Sequence, residues 1–245
     1  MILTRSSRDV VRKQNPNAAT SGRLVWNTGY LGTRVGVPPP EERGATYPDV
    51  YLVEQGPGVV LPPHFHRENQ FQIVMIGAGT FGKKEMQAFR VHYAGAYTPY
   101  GPITAGPEGI GYLTIRATYD PGARTMPDAR DELHAAGAKP RDLVSAPIAF
   151  TRPDRPEHRA VLGPEPDGVA AWLYELPAGA SVEGPDPYGG AGQFLVVLDG
   201  AMRAADGALL PQRSTIFVGA DEAPQTIVAA DEPLAVLALQ FPKTA

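Results

Sequence analysis

The chain has 245 residues, 43% hydrophobic and 20% charged, with a formal net charge of −4. This is ordinary globular usage, enough chain for one large all-β domain or two small ones, and it excludes disorder. No apolar run approaches the ~20 residues that span a bilayer, no basic stripe suits a phosphate backbone, and with no cysteine neither disulfides nor thiolate chemistry is open.

Residues 1–45 form an N-terminal extension. Its start, MILTRSSRDVVRKQNPNAATSGR, holds basic residues but no continuous apolar stretch, so it does not read as a secretory signal and a cytoplasmic location is expected. From Val50 the pattern becomes short β-prone runs broken by Gly and Pro (VYLVEQG, GVVLPPHFH, QFQIVMIG, FRVHYAGAYTP, GIGYLTIRATY), which predicts an antiparallel sandwich or barrel over 46–120. Residues 121–160 read as a connector with a short helix in MPDARDELHAAGAK, stopped by Gly137 and Pro140. Strand-like runs resume over 161–245 with AAWLYELPAG, GQFLVVLDG, STIFVGA and PLAVLALQF.

The two strand-rich parts resemble each other. QFQIVMIGAG from Gln70 and QFLVVLDGAM from Gln193 share Gln-Phe and a glycine seven residues after the Gln, at Gly77 and Gly200. The order Tyr97, Pro102, Thr104 and the strand from Tyr112 is echoed by Phe217, Pro224, Thr226 and the strand from Leu234. Such self-similarity predicts a duplicated domain.

The residues with chemistry lie in the first part. On a strand, residues two apart face the same way, so His64 and His66 would both project inward. Two converging imidazoles begin a site for Fe, Mn, Ni, Cu or Zn. An isolated H-x-H also fits a surface strand pair, but the flanking glycines and the repeat favour the interior. Gln72 shares the face of Gln70, and His92, Tyr93 and Tyr97 lie nearby, with a partly buried strand-end histidine as the plainer reading of His92. Glu68 sits in the turn between the strands of His64 and Gln70, where bending of the backbone would bring it inward, with a solvated turn carboxylate as the plainer reading, and His134 and His158 read as exposed.

The stretch Gly58-Val-Val-Leu-Pro-Pro-His64-Phe-His66-Arg-Glu-Asn-Gln70, closing at Gly77, resembles cupin motif 1, G-x5-H-x-H-x3or4-E-x6-G, with Gln70 at the Glu position. Motif 2 is kept only as the Pro99-Tyr-Gly101 turn. Thr104 stands at its histidine position, Glu108 at its asparagine, and three residues rather than five separate Gly95 from Pro99. The resemblance covers 46–120 well and 165–243 faintly. It implies an all-β bicupin: two tandem cupin-type jelly-roll barrels joined by a short helical connector, pairing as a homodimer. His64, His66 and Gln70 would hold a divalent transition metal, and Gln72, His92, Tyr97 and Thr104 would line a substrate pocket. The second barrel, with no histidine after His158, would be metal-free and structural. Two functions follow: a metal-dependent dioxygenase, isomerase or cyclase acting on a small oxygenated or aromatic substrate, or a metal-free, catalytically inactive bicupin binding a small-molecule ligand. Neither nucleic acid nor membrane is an expected partner.

Overall fold

The β-branched and aromatic runs between Gly and Pro breaks become strands, and the strand pairings are antiparallel, as short connections require. The computed structural model describes residues 1–15 and 24–243. Residues 16–23 of the N-terminal extension lie outside the described residues. With 49% strand and 6% helix, the all-β expectation holds. Among the described residues no sheet closes on itself, and no helix is long and apolar enough to cross a membrane.

Two compact units emerge, one of residues 11–147 and one of residues 1–10 with 148–245. The first is built on a nine-stranded sheet whose main path runs Asp142–Val144, Val91–Ala94, Gln70–Phe81, Ile103–Thr118, Thr46–Gln55, Val25–Leu31 and Arg12–Gln14. Extension and connector segments thus supply strands to this unit. Its expected helix forms at Arg130–Ala136 and ends in the left-handed Gly137, which lacks the Cβ that disfavours that turn. The second unit is built on a six-stranded sheet ordered Ile2–Arg5, Thr215–Val218, Gln193–Asp199, Leu234–Gln240, Ala170–Leu176 and Glu157–Leu162.

Register places the polar residues. Tyr112 pairs with Val74 and Thr114 with Gln72, while Tyr112 and Thr114 meet Val53 and Tyr51 on the other side. The two-residue period therefore puts Gln70, Gln72, Tyr51, Thr114 and Arg116 on the face carrying the apolar cluster of Val53, Val74 and Tyr112. The second unit packs Leu195, Val197, Val236 and Ala238 into the corresponding face of its own sheet.

The repeat is visible in backbone geometry. Gly77 and Gly200 both have positive φ, 63° and 73°. A Cβ at either would lie 2.2 Å from a carbonyl oxygen, that of Gly109 or Pro233, so both conformation and space demand glycine. Phe71 pairs with Tyr93 and Phe194 with Phe217, each ring pair 4.9 Å apart. Phe217 is therefore the counterpart of Tyr93, four residues earlier than the sequence echo with Tyr97.

Candidate functional site

His64 and His66 flank the buried Phe65 at the short strand His64–Phe65. Alternation turns both imidazoles to a cavity of about 450 Å3 within the first unit, their rings 5.4 Å apart. Tyr51, Tyr100, Gln72, Arg116 and Asp120 also line it.

The hydrogen bonds acquire directions once their fixed ends are recognised. The Pro62 carbonyl has no proton, so His64 Nδ1 donates to it at 2.9 Å. His64 Nε2 is then a lone pair, and the Tyr100 hydroxyl, 2.9 Å away, donates to it. Gln70 Nε2 donates to Tyr100 Oη at 2.6 Å, and Gln70 Oε1 accepts from Arg116 Nη2 at 2.7 Å. A closed chain thus runs from Arg116 through Gln70, Tyr100 and His64 to Pro62. His66 stands outside it: Nδ1 donates to Asp120 Oδ2 at 2.7 Å, and Nε2 makes no hydrogen bond among the described residues.

Arg116 dominates the electrostatics. Its buried guanidinium donates to Tyr51 Oη at 3.1 Å and lies 3.5 Å from Asp49 and 3.9 Å from Asp120, as a buried charge must be compensated. Burial, reinforced by this charge, lowers the His66 pKa to about 4. Burial likewise lowers His64, with Arg116 adding to it. Burial opposes ionisation of Asp120, but the His66 hydrogen bond and the Arg116 charge outweigh it and hold its pKa below the usual value.

The structure brings together His64, His66, Gln70 and Gln72, sets His92 behind Gln72, and separates Tyr97 and Thr104. His92 is fully buried behind Gln72, Nδ1 2.7 Å from Gln72 Oε1 and Nε2 2.9 Å from Asp142. Tyr97 lines another cavity of the same unit, of about 700 Å3, where its hydroxyl accepts from Arg43 at 3.3 Å. Thr104 is held in the sheet opposite Thr80 and Val60 and does not line the histidine cavity. The motif 2 side chain that reaches His64 is Tyr100, four residues before Thr104. Sequence reasoning missed Tyr100, Arg116 and Asp120. Arg116 had a signal, since the alternation Tyr112, Thr114, Arg116 against Leu113 and Ile115 puts a cation on a buried face.

As arranged, these groups do not fit a divalent cation. The His64 lone pair holds the Tyr100 proton, the Gln70 oxygen holds Arg116, Gln70 brings no charge where cupin motif 1 has Glu, and the carboxylate at the pair, Asp120, is taken by His66 Nδ1 and two backbone amides. A guanidinium beside the pair adds repulsion. Among the described residues no group of three or more His, Cys, Asp or Glu is placed to hold a metal.

No family model matches this chain, and no curated protein matches it in sequence. Its fold is similar to solved structures. Bacterial pirin YhhW from Escherichia coli, in complex with nickel(II), superposes with TM-score 0.64 and 12% identity over 100% of both chains. A protein from Nostoc punctiforme provisionally assigned as a dioxygenase gives 0.62 and 12% identity, covering 98% of this chain and 82% of that one. Bacillus subtilis oxalate decarboxylase, with Mn(II) centres, gives 0.58 and 13% identity over 100% of this chain and 78% of its own. These are cupin-family proteins, and the likeness supports a cupin fold here. At such identities it is a likeness of fold.

Proposed function

We propose that this chain is a tandem cupin-type protein whose first unit binds a small organic molecule in the cavity of His64 and His66 without a bound transition metal. The observation that carries this reading is the closed chain from Arg116 through Gln70 and Tyr100 to His64, which occupies two of the three expected metal ligands, His64 and Gln70, and leaves only His66 Nε2 open. The cavity volume, about 450 Å3, falls in the range of small-molecule sites. The second unit serves as structure, and homodimer formation belongs to the same proposal, to be read by analytical ultracentrifugation. Calorimetric titration of the full chain with Ni(II) and Mn(II) tests the metal-free reading: no saturable site is expected, and a stoichiometric one lost in His64→Ala overturns it.

One observation favours the other reading, a metal-dependent enzyme of dioxygenase, isomerase or cyclase type with His64, His66 and Gln70 as ligands. Both imidazoles are anchored through Nδ1, on Pro62 O and Asp120, as metal-ligating histidines commonly are. That reading requires Tyr100 to release His64, so Tyr100→Phe should then raise metal affinity.

A further inference from the structure

Resting on the metal-free reading, we infer that the cavity recognises a hydroxycarboxylate with an aromatic or otherwise planar tail, bound as a monoanion. Its hydroxyl would donate to His66 Nε2 and its carboxylate would meet Arg34. With the His64 lone pair already taken by Tyr100, His66 Nε2 is the open acceptor of the histidine pair, and Asp120 fixes the ring so that this nitrogen carries no proton. A ligand O–H therefore finds a positioned acceptor there.

The charge follows from what faces the cavity. Among the described residues its charged lining residues are Arg34, Arg116 and Asp120, two cations facing the cavity against one carboxylate with both imidazoles neutral, while Asp49 pairs with the two arginines from outside the lining at 3.7 and 3.5 Å. Asp120 is committed, accepting also from the Arg67 and Gly122 amides at 3.1 and 3.0 Å. Asp49, the remaining carboxylate near Arg116, lies under Gly32, where a Cβ would come within 2.3 Å of its oxygen, and does not line the cavity. Arg116 is committed to Gln70 and Tyr51. Arg34 is the available cation. Its guanidinium stacks 3.3 Å over the Tyr51 ring, its closest acid contact is the 3.7 Å ion pair with Asp49, and its side chain is 36% exposed. A stacked guanidinium keeps its N–H edge for the two oxygens of a carboxylate. Tyr112, Val25 and Val53, which also line the cavity, offer the rest of the ligand an aromatic and apolar wall.

Calorimetry on the full chain with four matched probes tests this: mandelate, phenylacetate without the hydroxyl, mandelamide without the charge, and benzyl alcohol without the carboxylate. Mandelate should saturate one site, with phenylacetate about tenfold weaker, the upper range for one net hydrogen bond, and mandelamide and benzyl alcohol weaker than mandelate. In Arg34→Gln the advantage of mandelate over mandelamide should vanish, and in His66→Phe its advantage over phenylacetate. Should His66→Phe fail to fold, the wild-type comparison of those two acids reads the same contact. Equal affinity for mandelate and phenylacetate, equal affinity for acid and amide, or no binding of any probe overturns the inference. Metal analysis of the same sample separates the two failures: absent metal with no probe binding sinks the ligand class alone, while stoichiometric metal sinks the reading beneath it.

Discussion

The two units share a strand pairing but differ in the side chains it carries, and the contrast sits at a single pair of positions. In the second unit Gln193 pairs in register with Gln240. The two amides meet at 3.4 Å and otherwise bond backbone carbonyls of Pro185, Pro187 and Gly192, so the pair is self-contained. In the first unit the corresponding partners are Gln70 and Arg116, and the amide there links the guanidinium to Tyr100 and thus to His64. One unit surrounds its glutamine with backbone and core. The other has a cation, two imidazoles and a cavity of about 450 Å3. Cupin-type strands tolerate a polar chain or a sealed amide at the same place, so chemistry here is decided by few side chains rather than by the fold.

Removing Arg116 should break that contrast most severely. Arg116→Ala leaves Asp49, Asp120 and Gln70 without their buried cation and should cost about 3–5 kcal/mol, whereas Gln240→Ala should cost about 1–3 kcal/mol, the loss of shared amide bonds. Denaturant unfolding of each variant reads the difference, and equal losses would mean that the two pairs are energetically alike. The glycines test the shared plan. Gly77→Ala and Gly200→Ala should both destabilise, each by about 1–3 kcal/mol from the left-handed backbone alone, with the carbonyl clash adding to it. Tolerance at one position would show that the units are not built alike there.

Protonation sharpens the contrast further. The His66 pKa is lowered to about 4 in the folded state, against ~6.5 unfolded. As pH falls, the unfolded chain takes up the proton first, so this contribution is whole above about 6.5 and lost on the way to 4. Burial acts the same way on His64 and His92. Asp49 and Glu68, whose pKa values burial raises, pull the other way. The His66 share is isolated by comparing wild type with His66→Phe, which should be relieved of about 3 kcal/mol of acid destabilisation between those pH values. The second unit, whose His158 is exposed, has no buried histidine to contribute such a loss. Smallest is Tyr100→Phe, expected to cost about 1 kcal/mol as Gln70 and His64 lose a partner and measurable as a lowered melting temperature.

How much of this was legible in the sequence depended on whether backbone or side-chain reach decided the matter. The alternation that turns His64 and His66 inward, the helix before Gly137 and the paired glycines at 77 and 200 are local backbone facts, and the order and spacing of residues reveal them. The site's wiring is not local. Thr104 stands at the motif's histidine position, yet the strand holds it opposite Thr80 and Val60, while Tyr100 swings to His64 from the preceding turn. Asp120, two residues beyond the end of its strand at Thr118, lies beside residues 53 and 54 positions earlier, a closure that no spacing rule anticipates. Introducing the cupin motif residues by Gln70→Glu with Thr104→His should accordingly create no metal site, since the new carboxylate would pair with Arg116 and the new imidazole would point elsewhere.

The most direct test of the metal-free account is elemental analysis of full-length protein, purified without affinity tag or chelator and assayed for Fe, Mn, Ni, Cu and Zn. The account predicts substoichiometric metal that does not change in the His64→Ala, His66→Ala double variant. One transition-metal ion per chain, lost in that variant while the fold persists, would contradict it.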